Sequence, residues 1–167
     1  MTNFHIDARD LSWLPGCEAE DLCLHGHGIA VIGAHTLEYD CTVSATSLQL
    51  LKSLTEDHER NNDSQMLPCC GHFLIPDEKE ENVYISGCPN GEDWTVRHVE
   101  EAVELILEDG YTVTVPMEDY RREVLAFVQK IEDFYNAAEP RILPEDEWRR
   151  TGYLTFWKEW HRRKEQA

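Results

Sequence analysis

The sequence predicts an α+β fold in which one antiparallel sheet is covered by helices. In several short segments apolar residues alternate with polar ones, which is typical of half-buried strands. Near the C-terminus two longer segments repeat apolar residues at steps of three and four, which is typical of amphipathic helices. The chain has 167 residues, of which 41% are hydrophobic, so residues 1–167 are predicted to form a single domain with its own core.

The N-terminal part of the chain contains strand patterns of unequal clarity. Residues 1–20 show no pattern that assigns them to a helix or a strand, so whether they are ordered is left open. Residues 22–32 are predicted to be extended, with a bend or bulge at their glycines. Residues 37–43 alternate strictly between apolar and polar side chains and predict a half-buried strand.

A helix is predicted to follow this strand. Thr46 and Gln49 have the spacing of a capping box, which places the start of the helix at Thr46. A stripe of leucines continues the helix until the helical signals end near His58. Residues 59–65 are rich in Asn and Asp and are predicted to form a loop.

The middle of the chain predicts an antiparallel meander of short strands. These strands are placed at residues 73–75, 83–85, 94–98, 103–107 and 111–115. The dipeptide Asp109-Gly110 is a favoured two-residue turn, and it predicts a hairpin between the last two strands.

Two helices are predicted to end the chain. The first begins near Pro116, because proline suits the first helical turn, and it stops before Pro140. The second begins at Pro144 and has two acids in its first turn, where the helix dipole favours negative charge. Gly152 is predicted to break or bend this second helix.

The charge of the chain restricts its partners. It has 33 acids and 15 bases, which give a net charge of −18. Residues 77–109 hold eleven of the acids and two of the bases, so half of the net charge falls in about a fifth of the chain. This charge argues against the cationic surface that nucleic acid or an anionic membrane would require, and it favours a basic protein partner.

The acid-rich segment and the aromatic residues within it are the predicted partner-binding site. Aromatic residues with charges around them are typical of interface hot spots. Two alternatives stay open: the acids form a solvated sheet face, and the aromatics, Tyr111 included, belong to the core. The predicted binding residues are Asp77, Glu78, Glu80, Glu81, Tyr84, Glu92, Asp93, Trp94, Glu100, Glu101 and Glu104.

Cysteine and histidine residues raise an alternative function. The sequence has no secretion signal pattern, so its six cysteines are predicted to be reduced thiols in the cytoplasm. One group lies between residues 17 and 27, and a second comprises Cys69-Cys70-Gly71-His72 with Cys88. Zinc accepts such ligands, but paired Cys-x-x-Cys units are missing, so neither a metal nor a cofactor is predicted.

Nucleophilic chemistry is also not predicted. Acids surround Cys88 in the sequence and would raise the pKa of its thiol. The chain contains neither a phosphate-binding loop motif nor a Gly-x-Ser-x-Gly motif. The protein is therefore predicted not to be an enzyme, and a zinc- or thiol-dependent enzyme built on the Cys and His groups is kept as the alternative.

Two segments resemble a known class of proteins. The segments at residues 84–96 and 152–160 are similar to those of small acidic immunity proteins that accompany bacterial polymorphic toxins, including those of contact-dependent growth inhibition. The resemblance implies a cytoplasmic, non-catalytic protein that binds the C-terminal domain of a cognate toxin, often a basic nuclease. It implies no shared fold and no catalytic motif. A general scaffold or adaptor domain is a third possibility.

Overall fold

The computed structural model describes residues 2–69 and 72–167. This part of the chain forms eight strands and three helices, and it confirms the α+β class with two C-terminal helices. The elements are β1 (Phe4–Ser12), β2 (His25–Ile32), β3 (His35–Thr42), α1 (Val43–Ser53), β4 (His72–Pro76), β5 (Val83–Gly87), β6 (Thr95–Val99), β7 (Ala102–Ile106), β8 (Thr112–Pro116), α2 (Met117–Ala137) and α3 (Glu147–Gln166).

The strands form three antiparallel sheets, whereas the sequence predicts one continuous meander. These sheets have the orders β1-β2-β3, β4-β5 and β6-β7-β8. The segment 58–67 separates the second sheet from the third. At its start, His58 forms an isolated β-bridge with Val96 of β6. Further along it, the carbonyl of Asp63 accepts from the amide of Gly87 at the end of β5 at 2.6 Å. Because this loop occupies the edges of both strands, β5 and β6 do not pair.

The first strand lies in the segment that the sequence leaves unassigned. Phe4, Ile6 and Ala8 alternate along β1 and are buried, and Phe4 lies opposite Ile32 of β2. Their alternation with polar residues is a strand signal that the sequence reasoning missed.

The first helix begins earlier than predicted. It starts at Val43 after the N-cap residue Thr42, so the predicted capping box at Thr46 and Gln49 is wrong. The Thr46 hydroxyl instead donates to the Thr42 carbonyl at 3.5 Å. Ten of the eleven residues of α1 are buried, and burial of this helix on every side stabilises a start that has no side-chain cap.

The hairpin between β7 and β8 is confirmed, but its loop is longer than two residues. The amide of Leu107 donates to the carbonyl of Tyr111 at 2.8 Å and closes a three-residue loop at 108–110. Gly110 has a φ of +90°, a conformation that glycine adopts without steric cost. A three-residue hairpin loop with glycine at the left-handed position is the next most common solution after the two-residue turn.

The last helix runs without interruption through Gly152, so the predicted break is wrong. A Cβ atom at this position would lie 2.3 Å from the carbonyl oxygen of Leu74. Glycine therefore allows α3 to approach β4 closely. The Asp146 side chain caps α3 by accepting from the amide of Trp148 at 3.1 Å.

Among the helices in the described ranges, none has a stretch long and apolar enough to cross a bilayer.

Candidate functional site

The predicted acidic residues do not gather in one place. The turn with Glu100 and Glu101 joins β6 to β7, and the loop with Glu108 and Asp109 leaves the other end of β7. At about 3.4 Å per residue, these two turns are roughly 20 Å apart. Glu92 bridges to Leu67 just before β6 begins, so it lies near the second turn. The third sheet therefore divides its acids between two opposite ends.

Asp93 and Trp94 are buried, so the structure corrects their assignment to a binding surface. The carboxylate of Asp93 accepts hydrogen bonds from His58 Nε2 at 2.8 Å and from two backbone amides of segment 58–67 at 2.9 Å. Trp94 is fully buried in the core. Asp93 holds the inserted loop against β6, and Trp94 belongs to the core. Neither side chain is free to touch a partner.

Glu104 is already engaged on the outer face of the third sheet. Its carboxylate lies 3.9 Å from the Arg97 guanidinium on the neighbouring strand. Glu100 and Glu101 are exposed in their turn, where Glu101 accepts the backbone amide of Met117 through its carbonyl. These three residues are separate from the acids of the second sheet.

The turn between β4 and β5 carries the densest set of exposed acids among those predicted. Asp77, Glu78, Glu80 and Glu81 all point to solvent in a stretch that holds one lysine. The Asp77 carboxylate accepts from the Asn82 side chain and from the backbone amide of Glu81, each at 2.9 Å. The side-chain bond from Asn82 is the main cause that lowers the pKa of Asp77 to about 2. The turn is thus fixed by hydrogen bonds within itself while its other carboxylates stay free.

Replacing Asn82 with alanine is expected to raise the pKa of Asp77 from about 2 towards its ordinary value of 3.8, because the strongest hydrogen bond to the charged form is lost. The lowered pKa means that ionised Asp77 stabilises the turn above about pH 4. This stabilisation is lost as the pH falls through 2. Carboxyl-detected NMR titration measures the change, with Asn136→Ala on the exposed face of α2 as the control. An unchanged Asp77 pKa in Asn82→Ala would contradict this assignment.

A neighbouring group of acids was missed by the sequence reasoning. Asp63 accepts from the Tyr84 hydroxyl at 2.5 Å and from the Ser86 hydroxyl at 2.9 Å, which brings the loop acid onto β5. Glu56, Asp57 and Glu59 line a cleft of about 290 Å³ that also reaches Tyr84. From the sequence, Glu56 and Asp57 are predicted to lie in the last part of a helix and Glu59 and Asp63 in a polar loop, since nothing local indicates that this segment folds back onto a strand. We refer to Asp63, Asp77, Glu78, Glu80, Glu81 and Tyr84 as the acidic hairpin.

A thiol and an imidazole meet on the other side of β4. Cys23 Sγ lies 3.6 Å from His72 Nε2, in a cavity of about 330 Å³ that Trp148 also lines. Burial raises the pKa of the Cys23 thiol to about 12. Burial also lowers the pKa of His72. Both groups are therefore neutral near pH 7, and the pair lacks the thiolate that nucleophilic catalysis requires.

Two of the cysteines that were predicted to be reduced are joined. Cys69 and Cys88 form a disulfide, with their Cα atoms 6.6 Å apart, so the prediction of free thiols is wrong for this pair. The zinc alternative thereby loses Cys88 as a ligand, and Cys70 and Gly71 lie outside the described residues. Within residues 2–69 and 72–167, no three His, Cys, Asp or Glu side chains are arranged to hold a metal ion.

Comparison with known proteins finds no family model that matches the chain, and no curated protein or solved structure that is similar to it.

Proposed function

We propose that this chain is a non-catalytic inhibitor that binds a basic protein, such as a toxin nuclease, through the acidic hairpin. The observation that carries the proposal is the β4–β5 turn. It presents four exposed carboxylates on a backbone that its own hydrogen bonds fix, in a chain of net charge −18. Such a field accelerates encounter with a cationic partner and disfavours anionic ones.

The inhibitory mechanism follows from this geometry. The carboxylates of the hairpin occupy the groove in which a cationic nuclease binds the phosphates of its substrate. Because Asp77 is held in its ionised form by Asn82, the turn is organised before binding and loses little conformational freedom on association. Removal of one acid that becomes buried in the complex is expected to cost about 2–5 kcal/mol of binding free energy. Removal of an acid at the rim is expected mainly to slow association.

A thiol-dependent enzyme is the second candidate, because Cys23 and His72 meet in a cavity. The raised pKa of Cys23 and the lowered pKa of His72 disfavour it. We therefore keep the proposal of a non-catalytic protein, in which the cleft and the cavity have no catalytic role.

Inhibition of an identified partner tests the proposal. The purified chain is used to isolate partners from its source cells, each is identified by mass spectrometry, and the most enriched one is produced recombinantly whatever its charge. We expect its activity to fall to zero at one equivalent of this chain. The triple variant of the hairpin, with Glu78, Glu80 and Glu81 each changed to Gln, is expected to inhibit far less. A partner that is itself acidic, or full inhibition by this variant, would overturn the proposal.

The cytoplasmic location is part of the same proposal, and it sets an expectation for the disulfide. Disulfides are rare where glutathione keeps thiols reduced. In a cytoplasmic protein Cys69 and Cys88 are therefore expected to be reduced inside the cell and to join after isolation. Alkylation with N-ethylmaleimide in intact cells, followed by mass spectrometry, measures this. Modification of both cysteines supports the location, and protection of both contradicts it.

A further inference from the structure

The second sheet exposes a row of large apolar side chains on its outer face. Ile75 lies directly opposite Tyr84, and Phe73 lies opposite Ser86, so these residues share one face of the hairpin. Phe73 is 63% exposed and Tyr84 is 49% exposed. Trp148, at the start of α3, extends the row, because its ring lies 6.1 Å from that of Phe73. We refer to Phe73, Ile75, Tyr84 and Trp148 as the apolar row.

The fold does not use these side chains as core. The opposite face of the hairpin supplies the buried residues, Val83 and Ile85, while α3 packs on β4 near Gly152. Trp94 and Trp160, by contrast, are fully buried. A contiguous exposed patch that includes three aromatic residues is typical of a binding surface, and Trp and Tyr are the residues that most often dominate binding energy.

Acids surround the apolar row. The turn that contains Asp77 and Glu81 follows Ile75 directly, and Asp63 holds the Tyr84 hydroxyl on the opposite side. Glu145, Asp146 and Glu147 precede Trp148 at the start of α3. An apolar centre with a charged rim is the usual anatomy of a protein–protein interface. Here most of the charged residues of the rim are acids, and Arg149 is a cation in the cavity that Phe73 and Trp148 line.

We propose that the apolar row docks a segment of a basic protein in which an apolar side chain stands between lysines or arginines. The apolar side chain packs against Phe73 and Trp148, and the flanking cations pair with the acids of the rim. This inference rests on the proposed function for the charge of the partner, and it deepens that function by naming the contact surface. A second copy of the chain is disfavoured as the occupant, because two acidic rims would face each other. An anionic lipid surface is disfavoured for the same reason.

Synthetic peptides test the surface without knowledge of the natural partner. The first probe is a short peptide in which leucines are flanked by lysines, and its two controls replace either the leucines with serine or the lysines with glutamate. Binding is followed by ¹H–¹⁵N NMR on the full chain. We expect the first peptide alone to shift the amides of Phe73, Ile75 and Tyr84 and the indole of Trp148.

Variants on the same elements provide the matched comparison. Phe73→Ala and Trp148→Ala are each expected to weaken binding of the first peptide roughly tenfold or more, as removal of an aromatic hot spot does. Leu154→Ala is the control. Leu154 is 51% exposed and lies two residues after Gly152, so it points about 200° around α3 from the side that faces β4. Its replacement is expected to leave the affinity unchanged.

Several results would overturn the proposal. They are peptide-induced shifts that miss the apolar row, equal binding of the serine-substituted peptide, equal weakening by Leu154→Ala, and self-association of the free chain that Phe73→Ala abolishes. The outcome is separable from that of the proposed function. If Phe73→Ala inhibits an identified basic partner as tightly as the natural chain does, the docking surface is wrong and the inhibitor stands. If an identified basic partner binds but keeps its full activity, while the lysine–leucine peptide binds the apolar row, the inhibitor proposal is wrong and the docking surface stands.

Discussion

Replacing Glu159 with alanine is expected to destabilise the fold by about 3–5 kcal/mol, because it removes the buried carboxylate that lies between the largely buried cations Lys52 and Arg163. It also leaves the Val83 amide without its acceptor. The side chain of Glu159 is fully buried and accepts the backbone amide of Val83 at 2.7 Å. Its other oxygen lies 2.6 Å from the Arg163 Nε and 3.6 Å from the Lys52 ammonium. One carboxylate therefore joins α3 to both α1 and β5. Urea unfolding followed by circular dichroism measures the loss.

Two further substitutions separate the charge from the hydrogen bond. Glu159→Gln keeps an acceptor for the Val83 amide but removes the charge, so its loss of stability is expected to be smaller than that of the alanine variant. Glu165→Ala, at an exposed position of the same helix, is expected to stay within about 0.5 kcal/mol of the natural chain. A loss of under about 1 kcal/mol in Glu159→Ala would show that this network does not hold the elements together.

Replacing Trp94 with alanine is expected to cost about 3–5 kcal/mol of folding free energy, since it opens a large cavity in the core. The sequence predicts this residue on the binding surface and leaves the core open as an alternative, and a surface position predicts instead a stable variant that fails to bind. Urea unfolding of Trp94→Ala distinguishes the two. The control is Tyr84→Phe, which loses an exposed hydrogen bond to Asp63 and is expected to change stability by under about 1 kcal/mol. Normal stability of Trp94→Ala would contradict its placement in the core.

The parts of the fold that local sequence patterns determine were predictable. The apolar residues of α2 recur at helical steps from Tyr120 to Ile131, and they are the ones that the structure buries. The β7–β8 hairpin forms where Asp109-Gly110 marks a turn, because glycine at the left-handed position specifies the loop. In both cases the information lies within one element and its immediate neighbours.

The division into three sheets depends on contacts between distant residues. His58 bonds to Val96 and Asp93, more than thirty positions away, and this pairing inserts a loop between β5 and β6. Neither the loop nor the strand carries a local signal for it. The disulfide between Cys69 and Cys88 is similar, since spacing alone does not show which cysteines come within bonding distance.

The candidate site was predicted in part for the same reason. Tyr84 lies between two apolar residues of β5, whereas Trp94 lies between two polar residues just before β6. Alternation therefore favours an outward Tyr84 and an inward Trp94, but the sequence reasoning assigned both to the binding surface by residue type. Packing of α3 against β4 and β5 leaves Tyr84 outside, whereas Trp94 is enclosed. Asp63 reaches the site only because segment 58–67 folds back onto β5.

The dependence of the association rate on salt tests the acidic-surface proposal most directly. Binding of this chain to its identified partner is followed by stopped-flow fluorescence at increasing sodium chloride concentration. If the acidic hairpin steers a cationic partner, the association rate falls roughly tenfold or more as salt screens the field, and it falls less for the variant with Glu78, Glu80 and Glu81 changed to Gln. An association rate that is the same at low and high salt would contradict the central role of charge.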